Sequence, residues 1–93
     1  MVNNRNRSRT EIVSQILEIA ANGGDDGQGA TKAKIMYNAF LNYEQLKAYL
    51  ILLTQNDLLY YDKAMRTFKT TEKGLLLLQA YNKIGQMLKA QQN

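Results

Sequence analysis

The amino-acid sequence predicts a mainly α fold with a small β-hairpin (α+β), and three observations predict it. Apolar residues recur at helical spacing in four separate stretches. Between the third and the fourth lies a short run of strand-favouring residues around a basic turn. The 93 residues are 45% hydrophobic and include no proline, which suits one core and mostly regular structure.

Residues 1–8 are polar and basic and read as a flexible arm carrying Arg5 and Arg7, with Arg9 just beyond it. From Arg9 or Thr10, Ile12, Val13, Ile16, Leu17, Ile19 and Ala20 keep helical spacing until Asn22-Gly23-Gly24 stops them. "GGDDGQG", residues 23–29, is a turn-rich loop with no side chains to pack, and is expected to be mobile. Thr31 then caps a short second helix through about Ala39, which offers Ile35, Met36 and Ala39 to the core.

"LNYEQLKAYLILLTQND", residues 41–57, carries the clearest start signal in the chain. Asn42 can cap the first turn, and Gln45, three positions on, can reach back to the cap residue's N–H. Leu46, Tyr49, Leu50 and Leu53 make its apolar face. Asn56-Asp57 ends the helix, Asn56 being suited to the left-handed conformation that closes one. "LLYYD" and "RTFKT" read as two strands, and Asp62-Lys63-Ala64-Met65 lacks the Asn-Gly of a two-residue hairpin, so a longer connection is expected. Thr71 caps the last helix, with Glu72 favourable at its positive end. The chain thus divides into the arm, a domain over residues 9–71 and a C-terminal helix over residues 72–93.

Composition argues against an enzyme. There is no cysteine and no histidine, which removes thiolate chemistry, the commonest general base and the commonest metal ligand together. Among the acids only Asp25 and Asp26 adjoin, in a glycine loop where solvation is the expected fate. Neither cofactor nor metal is expected. No apolar run approaches the ~18 residues of a membrane span, and the N-terminus is too polar for a signal peptide, so a cytoplasmic protein without a membrane partner is expected. The formal charge of +4 and pI of about 9.4 favour a polyanion.

Three helices, a hairpin and a fourth helix, with a tight turn between the second and third, form the winged helix-turn-helix layout. "RSRTEIVSQILEIA", "TKAKIMYNAFLNYEQLKAYLILL" and "TTEKG" further resemble the archaeal ArnR-like winged helix-turn-helix domains, whose relatives include small dimeric chromosomal proteins. Members commonly carry Ser at the place of Asn42 and Gly at that of Asn56; the glycine loop is longer here and the last helix shorter. The resemblance implies duplex DNA binding and a homodimer.

In such a motif the second helix enters the major groove with its N-terminal residues towards base edges. The candidates for base readout are Asn42, Gln45, Lys47 and Ala48, on a face with Glu44 and Ile51. Gln45 can pair with adenine, Lys47 can reach guanine or a phosphate, and Ala48 or Ile51 can touch a thymine methyl. The opposing view is that Asn42 and Gln45 merely cap their own helix and that Lys47 is solvated. Thr31, Lys32 and Lys34 suit a phosphate at the start of the second helix. Lys63 and Arg66 would tip a wing over residues 62–67, and Arg5, Arg7 and Arg9 would reach a minor groove. Tyr43, Tyr49, Tyr60, Tyr61 and Tyr81 are assigned to core packing rather than to base stacking.

"LLLLQAYNKIGQML" is too apolar to lie alone on a small domain. Leu75 and Leu78 are expected to face the domain, while Leu77, Tyr81, Ile84 and Leu88 form a short coiled-coil seam for a homodimer. Gly85 beside that seam suggests close approach by something. The rival reading is a winged-helix adaptor for protein partners with little DNA affinity, favoured by Glu44 in the reading face.

Overall fold

Helix ends set the frame of the molecule. A computed structural model describes residues 7–23 and 27–92, with side chains as far as Leu88; Arg5, Asp25 and Asp26 lie outside the described residues. In chain order come α1 (Arg9–Ala21), α2 (Lys32–Asn38), α3 (Tyr43–Gln55), β1 (Leu59–Asp62), β2 (Thr67–Thr70) and α4 (Glu72–Gln92). This is the expected order.

Each helix opens on a side-chain oxygen that accepts an otherwise unpaired N–H. Ser8 Oγ accepts from the Glu11 N–H at 3.1 Å, and the Glu11 carboxylate accepts from the Ser8 N–H at 2.8 Å. Ser8, read above as part of the arm, therefore belongs to the domain; its Ser-x-x-Glu spacing was the signal. Thr31 Oγ1 accepts from the Lys34 N–H at 3.1 Å. Thr71 Oγ1 accepts from the Gly74 N–H at 3.0 Å.

The ends of α2 and α3 share one geometry. The Leu41 N–H donates to the Met36 carbonyl at 3.0 Å, and the Leu58 N–H to the Leu53 carbonyl at 2.8 Å. The residue before each leucine is left-handed: Phe40 at φ 56° and Asp57 at φ 60°. This corrects the assignment to Asn56, which has φ −94° and instead donates its side-chain amide to the Leu52 carbonyl. The leucine after the turn decides the matter. Leu58 packs against the core, so the left-handed step must fall one residue before it.

Ile16, Leu17, Ile35, Leu46 and Leu53 are fully buried, each contributing about 1.5–3 kcal/mol. α1 packs on α2, β2 and α4, and α3 packs on α2 and β1. Two hydroxyls tie the layers: Thr70 donates to the Leu17 carbonyl and Thr71 to the Asp57 carbonyl, both at 2.6 Å.

β1 and β2 pair antiparallel from Leu59↔Thr70 to Asp62↔Thr67, so residues 63–66 form the longer connection expected. A third segment joins them. Ala30 exchanges two backbone hydrogen bonds with Phe68, at 2.9 and 2.7 Å. The expectation of an unpacked glycine loop is thereby corrected at its ends, residues 24–26 being outside the described residues. Gly29, at φ 93°, lies so close to β2 that a Cβ would stand 2.5 Å from the Phe68 carbonyl oxygen, so only glycine fits.

α4 also departs from expectation. Leu78 is buried, but Leu75 is 40% exposed, and Gly74 takes its place against the domain, touching the Leu58 carbonyl. Residues 74 and 78 lie one above the other on a helix, whereas residue 75 is turned away. Past Leu78 only Tyr81 is half-buried as far as Leu88. A 21-residue helix is about 31 Å long, in keeping with overall extents of 47 × 27 × 26 Å.

Candidate nucleic-acid interface

The outer face of α3 is built by the same periodicity that buries its inner face. With Leu46, Leu50 and Leu53 directed into the core, Glu44, Lys47, Ala48 and Ile51 are left exposed. Lys47 and Glu44 make no ion pair among the described residues. Asn42 and Gln45 are exposed as well but are engaged with each other's backbone. Asn42 Oδ1 accepts from the Gln45 N–H at 2.8 Å, and Gln45 Oε1 accepts from the Asn42 N–H at 3.1 Å. An adenine pair needs both the oxygen and the nitrogen of a Gln amide. While the cap holds, one lone pair of Gln45 Oε1 is occupied, and its NH₂ is left to donate to a purine N7 or a carbonyl oxygen.

Further exposed cations lie on α2 and at the hairpin tip. Lys32 and Lys34 are exposed at the start of α2, where the Thr31 hydroxyl is already committed as the cap. Lys63 and Arg66 are exposed at the hairpin tip, Arg66 being left-handed at φ 56°. The tip is braced at its base by Asp62, whose carboxylate accepts from the Met65 N–H at 3.2 Å and pairs with Lys69 at 3.4 Å. The Met65 N–H, helped by Lys69, holds the Asp62 carboxyl below the usual aspartate range.

The expected arginine arm is distributed differently. Arg9 is the first residue of α1 and is exposed. The Arg7 guanidinium donates to the Gln15 side chain and, at 3.3 Å, to the Phe40 carbonyl, so it ties α1 to the turn before α3.

The tyrosines need a correction. Tyr49 and Tyr81 are half-buried, but Tyr43 and Tyr60 are 59% and 58% exposed and Tyr61 is at the edge, 39% exposed. Tyr43 opens α3 on its outer side. Tyr60 pairs with Lys69 on the strand face opposite Phe68, a position that alternation along the strand assigns outwards. Tyr37, which its position in the sequence does not place, and Phe40, which the sequence does not single out, are both exposed at the end of α2.

Leu77, Ile84 and Leu88 are exposed along one arc of α4, with half-buried Tyr81 at its edge. A Cβ at Gly85 would meet nothing within 4 Å. Among the described residues no cluster of His, Cys, Asp or Glu could hold a metal, and no helix is long and apolar enough to cross a membrane.

A family model described as winged helix-turn-helix matches residues 6–89, nearly the whole chain. No curated protein matches it.

Proposed function

The chain belongs to the winged helix-turn-helix family, and from that premise we propose that it is a homodimeric duplex-DNA-binding protein, a transcriptional regulator or chromosomal protein. The observation that carries this reading is the exposed outer face of α3, on a chain that also exposes cations on α2 and at the hairpin tip. In the proposed complex α3 enters the major groove. Lys47 reaches a guanine or phosphate, Ala48 and Ile51 touch thymine methyls, and Asn42 and Gln45 donate through their amide nitrogens. Lys32, Lys34, Lys63 and Arg66 meet the flanking backbone, and Arg9 adds to the same field. Thr31 contributes as the cap that orients α2. The Leu77–Leu88 stripe of α4 joins two copies, and the pairing sets the separation of the two reading helices, ideally near one DNA turn of about 34 Å.

The test is fluorescence anisotropy on a random duplex over a salt series, with light scattering on the same sample. Micromolar or tighter binding that falls steeply with salt is expected. Lys47→Ala should leave the fold unchanged and lower the salt slope by about one. A folded protein with no binding at low salt would eliminate DNA as its partner.

That outcome would favour the second reading, an adaptor for protein partners. Its supporting observation is Glu44 exposed beside Ile51 and Leu52 on the same helix.

A further inference from the structure

A groove of about 1000 Å³ runs along α3, between it and the hairpin. Its floor is the exposed edge of the core: Leu46, Leu50, Leu59 and Phe68, each nearly buried. Pairing and strand alternation put Leu59, Tyr61, Phe68 and Thr70 on one face of the hairpin. Tyr61 leans on Phe68 with ring centroids 4.7 Å apart, making an aromatic wall. Tyr43 and Ile51 stand on the α3 side.

The charge along the groove is uneven. Lys47 lies towards the start of α3, one turn on from Tyr43, and Lys32 of α2 also lines the groove. At the other end are Thr54, Asp57 and Thr71. Lys69 also borders the groove but is paired with Asp62. An apolar trough of this size, with Lys32 and Lys47 among its lining, fits small-molecule dimensions and an anionic group on the ligand. A bare phosphate chain would gain nothing from the leucine and phenylalanine floor, and a neutral hydrocarbon would gain nothing from the lysines.

We infer that this groove binds an amphipathic organic anion: a flat aromatic or short acyl body over Leu50 and Phe68, with a single carboxylate at Lys32 and Lys47. Tyr43, Lys47 and Ile51 belong both to the groove and to the outer face of α3. Ligand and DNA would therefore exclude each other, a consequence that rests on the DNA reading proposed above; the binding itself does not.

The test is made on the full chain without DNA. 1-Naphthoate and its neutral counterpart 1-naphthalenemethanol are titrated by calorimetry, and amide shift changes are followed in the ¹⁵N-labelled protein. Saturable naphthoate binding with Kd below about 1 mM is expected, with shifts centred on Ile51, Tyr61 and Phe68. Lys32→Gln with Lys47→Gln, both exposed sites, should weaken naphthoate about ten-fold and leave the alcohol unchanged. Ile51→Glu should abolish both while circular dichroism stays native.

No saturable binding, equal affinity for acid and alcohol, or shifts centred on α4 would overturn the inference. So would an Ile51→Glu protein that no longer binds naphthoate but has passed from dimer to monomer, since the groove would then be a seat for a second copy. Displacement of a duplex by naphthoate is measured separately. If naphthoate binds and the wild-type chain has no duplex affinity, only the DNA reading fails.

Discussion

Gly74 and Gly85 sit in the same helix and have opposite surroundings. A Cβ at Gly74 would run into the Leu58 carbonyl and stand 2.7 Å from the Thr70 methyl; at Gly85 it would meet nothing within 4 Å. The first glycine is required by packing inside the chain. The second lowers helix propensity by about 1 kcal/mol with no return inside the chain. The same division runs through the large apolar residues of α4: Leu78 is buried, while Ile84 and Leu88 further along are 57% and 55% exposed. One half of the helix is therefore part of the domain, and the other half has its apolar face unmatched. A glycine in a helix informs only when its neighbours are known.

The largest expected effect is at the packed end. Gly74→Ala should destabilise the fold by about 2–4 kcal/mol in urea unfolding, because the obstacle is backbone that cannot swing aside. A loss below about 0.5 kcal/mol would mean α4 can slide on β2, and the contrast would collapse.

On the exposed arc of α4, Leu77→Glu with Ile84→Glu should leave a folded chain, within about 1 kcal/mol of the parent, because exposed positions tolerate charge. If the proposed homodimer forms through this stripe, sedimentation should then give a monomer at concentrations where the parent sediments as a dimer. Unfolding would show that the stripe belongs to the core after all.

A finer probe is Gly85→Ala. In dilute monomer it should raise stability by up to about 1 kcal/mol, the propensity difference alone. At dimerising concentrations the gain should shrink or reverse if two helices approach closely there. The same gain at every concentration would show that Gly85 has no partner.

The smallest effect concerns the hairpin. The native Asp62 pKa lies below its unfolded value, so the carboxylate stabilises the tip fully above the ordinary aspartate range. That contribution is lost as pH falls through the depressed native pKa. Amide exchange at Met65 should quicken over that acid window, while Asp62→Asn should show no such step.

Much of this could be read beforehand, and the reason is locality. Asn42 and Gln45, Thr31, and Thr71 were identifiable as caps because the partner of each lies three residues on. The buried faces of α1 and α3 follow from 3.6-residue spacing, which needs no knowledge of what covers them. Ser8 and Glu11 carried the same local signal, obscured by the arginines around them. The candidate site was readable to the same extent: spacing gave the outer face of α3, and the Asn-x-x-Gln signal gave the cap that engages the Gln45 oxygen.

What the chain alone could not disclose depends on residues far apart in sequence. Leu58, by packing on the core, moved the left-handed step from Asn56 to Asp57. Phe68, by pairing with Ala30, tied the end of a glycine loop to the edge of the hairpin through an isolated bridge. Tyr60 and Tyr61 look alike in sequence, and only the pairing of β1 with β2 sets one outwards and the other against Phe68. Local hydrogen bonds and periodicity fix where elements begin and which face is apolar. Which neighbour covers that face is decided when distant segments meet, and only the assembled core carries that information.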